Sequence, residues 1–510
     1  MSIQEFTGYI HDISSKEKII ILSSIILLLL LPLVVFVSTN SQKQETRSQA
    51  AEMSIDSLNT QVLENNRMNK QGVNRFVLED RRTLMEQLAY DNPREFLGKA
   101  MNPDLRNSFP LSQRFLIEEK ADLTGTLVPY HSDNFETGTK KTGYFVQTPD
   151  SIISVSFDNM PDEEKMESID KVAVSGYKIG NHLVAKSTDI KSVLSVTETA
   201  ASTGTKKFAV LPINFTDNRT TPYSRSQMLK QFFCDPTCSD SLRTYYKTLS
   251  DGKITISGKV ANAWIQTPFS SSEICSDQGF DKLISWARNY DPIPFSTSFY
   301  GVIFVYSKNS CNYGGIGTLG GNPSVTGIGE FSLRVMAHEI GHNLKLNHAK
   351  LLENDCLSPV SCTGKAIEYG DKADAMGINL SEMNGPHLKQ LGILPKSAIT
   401  TTTEGGTFTI NKLEGDINPR LIRFNIPNYP SFYIEYRGDK SGYDENSPYR
   451  LGSGAMIHSW NNAVGSPTYL LEAFDNGPVF GDGDTFSLGK YVFKQISHDN
   501  SSAKFRIIIK

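Results

Sequence analysis

The sequence predicts an α+β chain of several domains: a small β-barrel, a central domain of helices and strands, and a β-sandwich, behind one apolar N-terminal span. Three observations predict it. Histidines recur at helical spacing in HEIGHNLKLNH, residues 338–348. Short β-like runs separated by Gly, Pro, Asn and Asp fill 121–197 and recur after 398. Ile19 to Val37 is an apolar run of nineteen residues, broken only by Ser23, Ser24 and Pro32. At 510 residues the chain has room for about three domains. Its net charge of −4 is small and mixed in sign, and no basic tract appears, which argues against a nucleic-acid partner.

Taken in order, residues 1–18 read as a short cytoplasmic tail and 19–37 as a transmembrane signal anchor. At 1.5 Å per residue a run of this length spans a bilayer. No A-x-A-like cleavage site follows it; the next residues are STNSQKQETR. Flanking charges leave the orientation open, with Lys16 and Lys18 before the run and Lys43 and Arg47 after it. The cysteines argue better. All six lie between Cys234 and Cys362, and an even count in an exported domain favours disulfides. The expected arrangement is therefore single-pass, with the cysteine-bearing region extracytoplasmic and the membrane a partner of 19–37. The expected bridges, one set among fifteen pairings, are Cys356–Cys362, Cys275–Cys311 and Cys234–Cys238.

Residues 38–120 read as a stalk and a helical segment. The part to 70 is polar, and from about 71 to 97 Val73, Val77, Leu84 and Leu88 recur at helical spacing until Pro93 interrupts or restarts the helix. Residues 121–197 carry TGTLV, GYFVQT, SIISVSF, KVAVSGYKIG and HLVA, closely spaced runs that predict a small, OB-like β-barrel. With few aromatics and no basic groove, a structural or inhibitory prodomain is its expected role. TETAASTGTKK (197–207) reads as a linker. The central domain, 205–395, starts with KKFAVLPINF as a strand, followed by a turn and a helix near 222–233; YGVIFVYS (300–307) is a second buried strand. CNYGGIGTLGGN (311–322) is glycine-rich but lacks the Lys-Ser/Thr ending of a phosphate loop. Strand-like segments alternating with turns over 398–510 predict the sandwich. Arg437-Gly438-Asp439 matches an integrin-binding triplet, a match common by chance.

The chemistry concentrates in 338–348. His338 and His342, four apart, share one face of a helix and supply two nitrogen ligands for Zn2+. Glu339 sits beside them as a general base. His348 lies six residues past His342, beyond the helix end, and returns as a third ligand. Three protein ligands with an open fourth position make a catalytic zinc pattern. A second ligand set replaces His348 with Glu368.

HEIGHNLKLNHA, YGDKADAMG (369–377) and GPHLKQLGIL (385–394) together resemble the gametolysin family of metzincin peptidases. The resemblance extends through FAVLPINFTD, SLRTYYKTLSDGKITISGKV, SFYIEYR, GAMIHSW and TYLLEAF, so it covers roughly 205–510. It implies a mixed sheet plus zinc helix and a zinc-dependent endopeptidase acting on protein or glycoprotein substrates. The implied ligands are His338, His342 and His348, with Glu339 as base and Met376 as the Met-turn residue beneath the metal. It also implies that an edge strand before the zinc helix, here within 311–322, pairs with extended substrate. One position departs: Lys345 stands where the family has the glycine that ends the zinc helix in left-handed conformation. Some metzincins are held inactive by a prodomain cysteine, but no cysteine precedes Cys234. An inhibitory barrel would have to cover the cleft or offer another ligand, such as His131 or His182. The reading from another class is a catalytically inert surface protein whose β-domains bind a wall or matrix partner.

Overall fold

The structure, a computed structural model, describes residues 54–68, 74–159, 166, 169–195, 203–235, 237–276, 278–289, 298–307, 311–353, 366–438, 442–474 and 477–510. The tail 1–18, the apolar run 19–37 and the Cys356–Cys362 pair lie outside them. Among the described residues no helix is long and apolar enough to cross a membrane. The chain divides into two compact units, Met1–Leu88 with Lys99–Glu119, and Ala89–Gly98 with Lys120–Lys510. The expected barrel, central domain and sandwich thus fall within one unit.

In the first unit, helices Ile55–Met68 and Arg75–Asp91 build a small core with Val62, Leu78, Met101, Phe109, Leu116 and Ile117. The buried face of the second helix is Leu78, Arg81 and Met85, whereas the expected Val77, Leu84 and Leu88 are only half-buried. The face is rotated because a charged residue occupies it. Arg81 is fully buried and bidentate to Glu118, at 2.8 and 2.7 Å, and Glu118 also accepts the Met101 amide at 2.6 Å. Pro93 does restart the chain as a helix, Pro93–Lys99, with the Asn92 side chain accepting the Glu95 amide at 3.2 Å.

The second unit is organised by a sheet of eleven strands. Strands β1 (Glu119–Asn134), β2 (Thr139–Gln147), β3 (Ile152–Phe157), β4 (Ile169–Ile179) and β5 (His182–Ser195) run in the order β2-β3-β5-β4-β1. Because β1 also pairs with β2, these five close on themselves as a barrel. β1 is sixteen residues long, and its buried C-terminal end reaches beyond the barrel. There it pairs antiparallel with β10 (Gly315–Thr318), in the register Tyr130 to Thr318 through Asp133 to Gly315.

The sheet continues through β11 (Ser324–Ile328), β9 (Gly301–Tyr306), β6 (Gly204–Asn214) and β7 (Ile254–Val260), with the short β8 (Ile265–Gln266) also on β6. From β11 to β7 the pairs are parallel, whereas β10 is antiparallel to both β1 and β11. Both faces are covered, so β9 reads as the unbroken apolar run the sequence shows. Alternation sorts the side chains: Phe208, Val210, Ile303 and Val305 face the helices Arg225–Phe233, Leu242–Leu249 and Leu333–Asn343. Leu211, Ile213, Val302 and Phe304 face Phe280, Leu283, Ile284 and Ala287 of helix Gly279–Asn289. Disulfides join Cys234 to Cys238 and Cys275 to Cys311.

The remaining strands form two facing sheets. One holds β12 (Ala349–Leu352), β13 (Ala366–Ile367), β14 (Ile399–Thr402), β16 (Leu421–Phe424), β17 (Ser431–Tyr436), β18 (Ala455–Trp460) and β19 (Thr468–Leu471). The other holds β15 (Gly406–Asn411), β20 (Thr485–Leu488), β21 (Tyr491–His498) and β22 (Ser502–Ile509). Phe424, Phe432 and Ile434 meet Phe486, Phe493 and Phe505 between them. The expected boundary between 395 and 398 does not separate the two regions. β12, which directly follows His348, is a parallel partner of β19.

Candidate metal centre

The helix Leu333–Asn343 starts at Ser332, whose hydroxyl accepts the Val335 amide, and ends abruptly at Leu344. The Lys345 amide donates to the His342 carbonyl at 2.8 Å and the Leu346 amide to the Gly341 carbonyl at 3.0 Å. That pair of bonds is a Schellman closure, and Lys345 at its bend has φ of 70°. The turn sends the chain back along the helix, so His348 arrives beside His342 rather than continuing away from it.

Three imidazoles converge as a result. His348 Nε2 lies 3.1 Å from His342 Nε2. Each outer nitrogen meets an acceptor: His338 Nδ1 faces the Ala375 carbonyl at 2.9 Å, His342 Nδ1 the Leu346 carbonyl at 2.8 Å, and His348 Nδ1 the Glu368 carboxylate at 2.6 Å. Protons on the three Nδ1 atoms leave the Nε2 lone pairs pointing inward. Glu368 therefore serves His348 from outside, with Lys350 at 3.0 Å on its other oxygen, and does not replace it.

A fourth group completes the cluster, and sequence reasoning missed it. Asp133, on β1, places Oδ2 3.3 Å from His338 Nε2 and 3.2 Å from His342 Nε2, and Oδ1 3.4 Å from His348 Nε2. Ligands at about 2.0–2.1 Å on a tetrahedral zinc stand about 3.3–3.4 Å apart. The separations here match that edge length. All four residues are fully buried, and His338 Nε2 has no hydrogen-bond partner. Inward-facing nitrogen lone pairs beside a carboxylate are acceptor against acceptor, an arrangement that a cation resolves. The four residues fit a metal ion.

The electrostatics agree for two of the three imidazoles. Burial lowers His338, and lowers His342 to about 3, so both stay neutral as ligands must. Burial also opposes the charge on His348, but Asp133 and Glu368 outweigh it and raise that imidazole. For Asp133, burial is outweighed by the charge on His348 and by the adjoining His338 and His342 imidazoles, which hold the carboxyl well below the usual range. Tyr369 donates its hydroxyl to Asp133 Oδ1 at 2.8 Å.

Glu339 is fully buried on the same helix. Burial first, and then the Asp133 charge, push its carboxyl well above the ordinary value. It lies against β10 where only glycine leaves room. A Cβ on Gly315 would stand 2.1 Å from Glu339 Oε1, and one on Gly317 would stand 2.7 Å from Oε2. Two glycines of the segment 311–322, Gly315 and Gly317, are therefore explained by close packing on the histidine helix. Gly341 has the same logic on the opposite side, where a Cβ would meet Met376 Sδ at 2.2 Å. Met376 is fully buried beneath the centre, in a turn held by Asp374, which accepts the Met376 and Asn384 amides and His387 Nδ1.

Of the proposed blocking ligands, His182 packs instead on Tyr90, with ring centroids 3.9 Å apart. His131 reaches the centre but only as a wall. Its ring centroid stands 5.1 Å from that of His342 and 5.0 Å from that of His348, and Nδ1 meets the Thr142 hydroxyl at 3.0 Å. The ligand atoms come from Asp133, two residues on and so on the same face of β1. Arg437 of the Arg-Gly-Asp triplet is buried against Glu435, Asp444 and the Ala373 carbonyl, which removes it from any receptor.

No family model matches the chain, and no curated protein matches it. Among solved structures, one described as "Structure of a chaperone-substrate complex" is similar at a TM-score of 0.21 and 11% identity, over 50% of this chain and 53% of that one. A likeness at that level carries no argument about fold or activity.

Proposed function

We propose that this chain is a zinc-dependent endopeptidase with His338, His342 and His348 as metal ligands and Glu339 as the proton-transferring group. The observation that carries this reading is the convergence of three Nε2 atoms, each with its Nδ1 committed to an acceptor, beside a carboxylate of the same helix. When bound, zinc supplies Lewis acidity toward a carbonyl and brings water to a pKa near 7. Glu339 takes a proton from the attacking water and returns it to the leaving amine. Met376 packs into the notch at Gly341 and holds the helix at fixed height over the turn. The Ala375 carbonyl and Glu368 hold the rings of His338 and His348 in one orientation.

The two disulfides support an extracytoplasmic catalytic region, and the apolar run 19–37 supports its attachment to a membrane. The position of Glu368 on the outer nitrogen of His348 favours the three-histidine set over a His-His-Glu set.

The test is metal content together with chelator-sensitive casein hydrolysis. Because Asp133 crowds the centre, both proteins compared carry Asp133→Ala, one alone and one with Glu339→Ala. The single variant should hold zinc and cleave casein. The double variant should hold as much zinc and cleave about 10²–10⁴-fold more slowly. Equal hydrolysis by the two proteins would reject Glu339 as the proton carrier, and a zinc-free, folded single variant would reject the metallopeptidase.

A further inference from the structure

We propose that Asp133 is the fourth protein ligand of the metal in the intact chain, and that β1 fills the strand position of a peptide substrate, so that the chain is latent. The proposal rests on the metallopeptidase reading above and adds to it the residue that blocks the centre.

Two independent observations carry it. The first is the shape of the cluster. The three contacts from Asp133 to histidine nitrogens, 3.2, 3.3 and 3.4 Å, are of the same size as the 3.1 Å between His342 and His348. Asp133 therefore closes the cluster where a catalytic site keeps a position open, with Oδ2 toward His338 and His342 and Oδ1 toward His348. A carboxylate fully buried among acceptor nitrogens needs a cation at the centre, and Tyr369 donates to the same Oδ1 that faces His348.

The second is the backbone. A sheet edge is where an extended peptide adds itself, through main-chain hydrogen bonds. β10 is the strand beside Glu339, and without β1 its outer edge would be such a site. β1 takes that edge in continuous antiparallel register from Tyr130 to Asp133. The same strand closes the barrel by pairing with β2 from Thr126 to Asn134. One segment therefore blocks the metal and the peptide edge together, and the barrel holds it there. The imidazole of His131, one strand period before Asp133, covers His342 and His348 from above. The Asp133 ligand anchors this end of β1 at the centre, so its loss both opens the metal and frees the strand to give up the β10 edge to a peptide.

The test uses the full chain loaded with Co²⁺, whose visible spectrum reports its ligands, and acetohydroxamate as a small metal-binding probe. In the wild-type chain the spectrum should not respond to the probe. In Asp133→Ala it should shift on titration, and casein hydrolysis should rise at least tenfold. Asp133→Asn keeps the side-chain volume and an acceptor for Tyr369, so the same response from it separates ligand loss from misfolding. A wild-type spectrum that responds as readily as that of either variant would overturn the proposal, as would equal hydrolysis by all three proteins. Failure of every folded protein to hold Co²⁺ would overturn both this proposal and the reading beneath it. If the variants gain probe binding but none cleaves casein, Asp133 stands as the ligand and it is the peptidase reading that fails.

Discussion

The candidate metal centre has two halves built on different principles. One half, His338 to His348, is local: a helix turn spaces two ligands, and a Schellman closure returns the third within a few residues. The other half, Asp133, belongs to a barrel strand far upstream and reaches the centre only through the pairing of β1 with β10. Local ligands follow from helix geometry and sequence spacing. A ligand delivered by strand pairing depends on register, which a one-residue slip would destroy by turning Asp133 to the opposite face. The first half is suited to permanent coordination, the second to a contact that can be made and released.

Removing a local ligand should do the most damage. His342→Ala should abolish stoichiometric zinc and, with it, the stabilisation that bound metal gives the folded state. Thermal melts with and without chelator should differ for the wild type and coincide for the variant. A variant whose melting point still falls on chelation would mean that His342 is not a ligand and that the local half is misassigned.

A second carboxyl cluster, Glu382 with Glu414 and Asp444, has no histidine and provides the contrast to Asp133. Glu382 is pushed up to about 8, by burial first and then by the charges of Asp444 and Glu414, with only Arg437 opposing. A carboxyl raised above its unfolded value of 4.5 adds stability that is complete below that value and lost as pH climbs through the folded one. Melting points should therefore fall between about pH 4.5 and 8, and Glu382→Gln should flatten that fall. An unchanged slope in the variant would show that another group controls it.

β10 lies between the two halves, and its glycines should be sensitive to size. Gly315→Ala drives a Cβ to 2.1 Å from a Glu339 oxygen while Gly315 itself pairs with Asp133. Overpacking of this kind costs about 1–3 kcal/mol. The expected outcome is a denaturant midpoint lowered accordingly; an unaltered midpoint would mean that Glu339 swings away freely.

What was legible follows the same division. The histidine helix, its glutamate, the downstream methionine and the buried strands are written in local spacing. Asp133 has no such signal: it sits in an ordinary alternating strand, and nothing near it in sequence is a ligand. Its place beside the histidines comes from β1–β10 pairing, which only the fold reveals. His131, noted as a candidate blocking group, lies on the correct face of the correct strand but one strand period early. Arg81 shows a related limit. Periodicity counts apolar residues, so a helix that buries an arginine against Glu118 presents a face rotated from the one that Val77, Leu84 and Leu88 define. The boundary near 398 failed because β12 joins β19 by parallel pairing across a long stretch of chain.

The smallest expected effect concerns the bend that separates the local half from the rest. Lys345 holds φ of 70° at the Schellman position, where glycine carries no Cβ penalty and lysine does. Its stem is also used: a Cβ on Gly320 would lie 3.0 Å from Lys345 Cγ, so the side chain packs over that glycine. Lys345→Gly relieves about 1 kcal/mol of backbone strain and forfeits part of that packing. The net should be neutral to stabilising by at most about 1 kcal/mol, a rise of about 2 °C or less in a unit this large. Zinc affinity should hold or increase, since the bend that aims His348 becomes easier to keep. A lower melting point with zinc affinity unchanged would show that the lysine stem, not the backbone, controls this turn. A loss of zinc affinity would show that Lys345 itself helps to hold His348 in place, which would make the local half less self-sufficient than its spacing implies.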